Sequence, residues 1–126
     1  MTTKRILINI RNQFEKGKVD QQLLKKLYTA YNLINKIELF VRKATGFFPN
    51  LNCGLATVYI RHVLGKGEVV NGYYEKNSHT FLLLDNNTIA DITADQYLGP
   101  KVYFGPLRAP WKLPDNLALS ASKRQI

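Results

Sequence analysis

Asn52-Cys53-Gly54-Leu55-Ala56-Thr57-Val58-Tyr59-Ile60 divides this chain of 126 residues into two unlike halves. Pro49 biases its predecessor away from helix, and Asn50 and Asn52 are turn and cap residues, so a helix is expected to open at Cys53 behind an Asn52 N-cap. Leu55, Ala56, Tyr59, Ile60 and Val63 carry that helix to Gly65 and Gly67. Upstream, apolar residues recur at helical spacing; downstream they fall in short runs bounded by turn residues. Helices first and strands afterwards is the α+β class, with N-terminal helices packed on a small antiparallel sheet.

Working backwards, Ile6, Ile10 and Phe14 predict a short helix over residues 3–15, with Thr2 or Thr3 as its N-cap and Gly17 as its stop. Asp20 caps a stronger pattern: Leu23, Leu24, Leu27, Tyr31, Ile34, Ile37 and Val41 run on to Gly46. The spacing predicts one helix of about 24 residues. Working forwards, Glu68 to Tyr74, Ser78 to Leu84 and Thr88 to Thr93 read as strands, divided by Lys76-Asn77 and Asp85-Asn86-Asn87. From Tyr97 to Pro114 glycine and proline punctuate the text, which predicts an edge strand over Lys101 to Phe104 and an extended segment lying on the body. Ser120 to Ile126 reads as a frayed tail.

The length suits one domain that buries its own core, expected to span 1–126 with a basic helical region (1–46), a central core (47–95) and the edge strand with its C-terminal segment (96–126). One cysteine forms no internal disulfide, and two histidines without Cys-x-x-Cys supply too few ligands for an ordinary zinc site, so no metal and no cofactor are expected. Near the start, Ile6-Leu7-Ile8 is cut by Asn9, short of the about 7 to 15 apolar residues of a signal peptide and of the about 20 of a membrane span. A free thiol suits the reducing cytoplasm as the site of action. A module delivered as part of a larger secreted protein reads equally well.

The net charge is +9, and the first 45 residues hold ten of the 18 Lys and Arg but only three of the nine Asp and Glu. Such a surplus is either the solvated outer face of amphipathic helices or an attraction for nucleic acid, anionic lipid or an acidic protein such as an inhibitor or immunity partner. Against nucleic acid, no glycine-rich phosphate loop, recognition-helix motif or acidic metal cluster is visible.

Three residues carry the chemistry. Cys53 at a helix N-terminus would be acidified by unpaired backbone N–H groups. His79 opens an apolar strand and Asp91 lies between Ala90 and Ile92, so each puts a titratable group into apolar surroundings. A carboxylate buried there needs hydrogen-bond donors, and an imidazole is an obvious one. The loop between their strands offers a geometric check. If Asp85-Asn86-Asn87 forms a three-residue loop, Leu84 faces Thr88, and His79 and Asp91 become diagonal neighbours on one face, about 7 to 8 Å apart at the backbone. A loop of even length would throw them to opposite faces. His62, nine residues after Cys53, falls on the far side of its helix and reads as a surface or packing residue.

Asn52-Cys53-Gly54-Leu55-Ala56, His79-Thr80-Phe81-Leu82 and Asp91-Ile92-Thr93, in this order, resemble the papain-like and transglutaminase-like cysteine hydrolase superfamily, including small bacterial papain-fold toxin or deamidase domains. The resemblance covers residues 50–95. It implies a papain-like core with a Cys53 nucleophile, His79 as base and acid, and Asp91 orienting the ring. The expected activity is acyl hydrolysis on a protein or peptide: amidase, deamidase or peptidase, with transamidation where an amine replaces water. Phe47 stands where papain-type peptidases carry their oxyanion glutamine, and Phe81 replaces an expected tryptophan. That leaves Asn52 and Asn50 as the nearest oxyanion donors, beside the N–H of Cys53. Tyr97, Tyr103 and Trp111 either wall a substrate groove or pack the core. A basic nucleic-acid-binding or nuclease domain, or a papain-like fold without activity serving as a binding module, is the alternative.

Overall fold

In the computed structural model the described residues are 1–115, and within them four helices precede five strands. The reading of 120–126 lies outside the described residues. Helix α1 (Thr3–Glu15) starts where Thr2 accepts a hydrogen bond from the Arg5 N–H at 3.2 Å, and it buries Leu7, Ile10 and Phe14. Gly17 takes the left-handed φ of 64° that ends it.

The expected long helix is two helices. Asp20 caps α2 (Gln21–Tyr31) by accepting from the N–H groups of Gln22 and Leu23, as the sequence suggested. Asn32 then turns extended, and Lys36, left-handed at φ 55°, leads into α3 (Ile37–Gly46). A continuous helix of about 24 residues would be about 36 Å long, more than the breadth of so small a domain. Folding it back brings Val41 and Ala44 of α3 into the core beside Leu24 of α2.

Helix α4 (Cys53–Leu64) starts at Cys53 with Asn52 at the N-cap position, as expected, but the Asn52 side chain does not cap it. Its side chain makes no capping bond and instead donates to the carbonyls of Ala44 and Asn50, both at 2.8 Å, tying the end of α3 to the turn before Cys53. The first N–H groups of α4 are thus left without an Asn52 side-chain acceptor.

Strands β1 (Glu68–Tyr74), β2 (Asn77–Leu84), β3 (Thr88–Asp91), β4 (Tyr103–Pro106) and β5 (Trp111–Lys112) form one antiparallel sheet in the order β4-β3-β2-β1-β5. Several details differ from expectation, and β2 starts one residue early, at Asn77. β3 stops at Asp91, because Ile92 and Thr93 turn away into a 3-10 turn over Ala94–Tyr97. β4 begins two residues late, after the bend at Lys101 and Val102. The C-terminal segment, expected to lie over the body, instead adds Trp111 and Lys112 as a strand on the free side of β1.

Strand alternation divides the core. Leu82 and Ala90 face the helices with Leu7, Leu55 and Ile60, while Phe81 and Ile89 face the other way with Val70, Tyr74, Ala94 and Trp111. The β2–β3 loop is Asp85-Asn86-Asn87 with Leu84 paired to Thr88, the odd loop that places His79 and Asp91 on one face. Asn86 and Asn87 both take positive φ, which asparagine tolerates.

Gly72, opposite His79 in the β1–β2 ladder, is required by the fifth strand: a Cβ there would collide with the Lys112 carbonyl and come within 3.0 Å of the Phe81 ring. Gly72→Ala is therefore expected to destabilise the fold by about 1–3 kcal/mol through overpacking. Thermal unfolding followed by circular dichroism checks this, and an unchanged melting temperature would contradict the placement of β5.

Candidate active site

Asp91 ends β3 with only 1% of its surface exposed, and a buried carboxylate persists only where donors replace its water. Four donors do so. Oδ1 accepts from the Thr93 backbone N–H at 2.9 Å and from the Thr93 hydroxyl at 3.3 Å, a local closure made possible by the chain turning after Asp91. Oδ2 accepts from the Trp111 indole N–H at 2.8 Å and bonds His79 Nε2 at 2.6 Å.

The carboxylate holds the imidazole by Nε2, so Nδ1 is the nitrogen left for chemistry. Nδ1 is buried and, among the described residues, has no partner at hydrogen-bond distance. The ring is fixed edge-on to Tyr97 at 5.5 Å and to Tyr74 at 6.2 Å between centroids. Cys53 is close enough that thiol and imidazole shift each other's titration. Burial opposes ionisation of the thiol, but the neighbouring His79 ring with its charge and the Thr80 backbone N–H bring its pKa below the ordinary cysteine value. Burial likewise opposes the imidazolium, yet the hydrogen bond and charge of Asp91, with the nearby Cys53, raise His79 to about 9. Thiolate and imidazolium thus favour each other, and the two groups titrate as one coupled unit.

Local sequence explains how sulfur and ring meet. The β2–β3 ladder runs only from Leu84–Thr88 to Leu82–Ala90, so β2 beyond it is open to the start of α4. There the Thr57 hydroxyl donates to the Cys53 carbonyl at 2.6 Å, and it also lies 3.3 Å from the Thr80 carbonyl. Helix start and strand are stitched through one threonine.

Cys53 and Gly54 open into a cavity of about 480 Å³ walled by the rings of Tyr28, Tyr31, Phe40 and Tyr97. Asn32, Asn71, Thr80 and Gln96 supply its polar groups, and none of the described lining residues is Lys, Arg, His, Asp or Glu. Asn71 is held by the hydroxyls of Tyr31 and Thr80. Gly54 is needed here, since a Cβ would come within 2.8 Å of the Tyr28 ring.

Cys53, His79, Asp91 and Tyr97 are therefore brought together. The Tyr97 hydroxyl donates to the Ser78 carbonyl at 3.1 Å, and burial with the nearby Cys53 and Asp91 charges pushes its pKa up. The other expected site residues lie elsewhere. Asn52 has both amide hydrogens committed to backbone carbonyls, and Asn50 is exposed outside the cavity lining, so neither is the side-chain oxyanion donor. Trp111 is buried against Asp91 rather than in the groove, and Tyr103 stacks on Trp111 at 4.1 Å with its hydroxyl on the Pro106 carbonyl. His62 is exposed, as its helical position implied. Tyr28, Tyr31, Asn71 and Gln96 carried no local signal of a site. Thr93 did, through the Asp-x-Thr run.

No protein-family model, no curated protein and no solved structure matches this chain. Among the described residues, no three His, Cys, Asp or Glu side chains gather to hold a metal ion, and no helix is long and apolar enough to cross a membrane.

Asp91→Asn keeps the shape of the carboxylate but removes the charge that favours the imidazolium. Iodoacetamide alkylation of Cys53 at pH 6 is then expected to slow on the order of ten-fold or more, by the usual size of such shifts. An unchanged rate would mean that His79 and Asp91 do not act on the thiol.

Proposed function

We propose that this protein is a cysteine-dependent acyl hydrolase of papain-like type, with Cys53 as nucleophile, His79 as proton carrier and Asp91 as the group that orients the ring. The observation that carries the reading is the buried His79 Nε2–Asp91 bond of 2.6 Å, which leaves Nδ1 unpartnered beside the only cysteine. A structural histidine has no need of a carboxylate with three further hydrogen bonds behind it and an idle nitrogen beside a thiol.

The steps follow from the charges. The Cys53 sulfur attacks an acyl carbon, an S–C bond forms, and the carbonyl π pair moves onto oxygen. Collapse of that oxyanion expels the leaving amine, which takes its proton from the His79 imidazolium. Neutral imidazole then removes a proton from water, the hydroxide attacks the thioester, and the thiolate leaves as the acid is released. An amine in place of water gives transamidation.

The lining supports an uncharged acyl donor such as a protein side-chain amide. With no Lys, Arg or His among the described lining residues, a substrate carboxylate would lose its water with little compensation there. Entry of a neutral amide is favoured over retention of the acid product, which suits deamidation of a protein side chain. The cytoplasm as site of action and delivery as part of a toxin or effector protein belong to the same proposal.

Two pH profiles test it. Alkylation of Cys53 by iodoacetamide should rise with an apparent pKa below the free-cysteine value of about 8.5, since only the thiolate is needed. In His79→Ala the burial remains and the imidazolium is gone, so the apparent pKa should move above 8.5 and the rate at pH 7 fall roughly 100-fold. Turnover of an amide needs the imidazolium too, so it should rise with thiolate formation and decline again above about 9 as His79 loses its proton. An ordinary thiol titration in both proteins would refute the assignment.

A further inference from the structure

We infer that Gln96, not an asparagine next to the cysteine, donates the side-chain hydrogen bond to the oxyanion formed when Cys53 attacks an acyl carbon. The inference rests on the proposed hydrolase reading and adds a residue to it. Gln96 lines the same cavity as Cys53 and Gly54, and its Nε2 is buried with no hydrogen-bond partner among the described residues. An amide shielded from water and left without an acceptor is costly, and a native fold keeps one where an acceptor arrives later. In an acyl-transfer site the oxygen of the tetrahedral intermediate is such an acceptor, absent from the resting state and formed only as the reaction proceeds.

The surroundings hold Gln96 still. Its neighbour Asp95 is clamped by the Arg11 guanidinium through two bonds, 2.6 and 2.8 Å, and Arg11 also donates to the Ile92 carbonyl at 2.8 Å. On the other side, the Tyr97 hydroxyl is tied to the Ser78 carbonyl, and the Tyr97 ring meets that of His79. The Gln96 N–H itself bonds the Thr93 carbonyl at 3.2 Å. A donor placed between two anchored residues reorganises little when charge develops, which is the condition for strong stabilisation of an oxyanion. The second donor is the backbone N–H of Cys53, one of the helix-start groups that the Asn52 side chain leaves uncapped. The two donors come from separate segments, one opening α4 and one in the 3-10 turn after β3, and both border the same cavity.

Two reactions of the same sulfur separate this role from a merely structural one. Alkylation by iodoacetamide displaces iodide and forms no oxyanion. Acylation by p-nitrophenyl acetate passes through a tetrahedral oxyanion and releases p-nitrophenolate, which absorbs at once. Gln96→Met, which keeps the length of the side chain and lacks the donor, and Gln96→Ala should each slow the single-turnover acylation roughly 100- to 1,000-fold, the usual effect of deleting one oxyanion donor. Alkylation at pH 7 should stay within about two-fold of the unmodified protein, because the thiolate is untouched. Unchanged acylation in the folded Met variant would overturn the assignment. Equal losses in both reactions would overturn it too, showing that Gln96 only positions Cys53 or His79. A parent protein whose thiol titrates normally and resists acylation would defeat the hydrolase reading itself, a result distinct from either.

Discussion

A carboxylate taken out of water dictates much of this structure. Asp91 is buried in a sheet whose surroundings are hydrocarbon, and its two oxygens are satisfied by groups drawn from three places in the chain. Thr93 requires the chain to turn directly after β3. His79 requires β2 to meet β3 in one register. Trp111 requires the C-terminal segment to come back and join β1, and Gly72 has to lack a side chain for that segment to approach. Removing one partner would strand a buried charge, so these features stand or fall together.

Much of this was legible in the residues because the relevant periods are local. Helical spacing marked α1 and α4, alternation and turn residues marked β1 to β3, and the length of the Asp85-Asn86-Asn87 loop decided which face His79 and Asp91 share. The break between α2 and α3 was hidden because Ile34 and Ile37 keep the helical spacing across it, with no glycine or proline to mark the stop. Trp111 was readable as aromatic but not as the donor to Asp91, since a contact spanning 20 positions between a two-residue strand and the last residue of β3 leaves no periodic trace. Asn52 misled for a related reason: its position is that of a cap, but a side-chain amide commits to whichever carbonyls the tertiary fold brings close.

The basic surplus likewise divides once the fold is known. Lys25 pairs with Glu38 at the exposed surface, where such pairs add little. Arg11 belongs to a different category from the solvated charges around it in the sequence. It is 5% exposed, lies over the Phe48 ring at 4.7 Å and spans to Asp95, so the first helix is bolted to the turn that follows the carboxylate. Burial works against its charge, yet Asp95 and Glu15 more than offset this and raise its pKa. Fold and site thus share one ionic joint.

The late position of β5 also orders events during synthesis. The sulfur emerges from the ribosome first, the imidazole second and the carboxylate third, and Asp91 lacks its indole donor until Trp111 has followed. A nascent chain halted before that point has neither the fifth strand beside β1 nor the indole for Asp91, so the burial of the carboxylate is completed only when nearly all of the described polypeptide has been made.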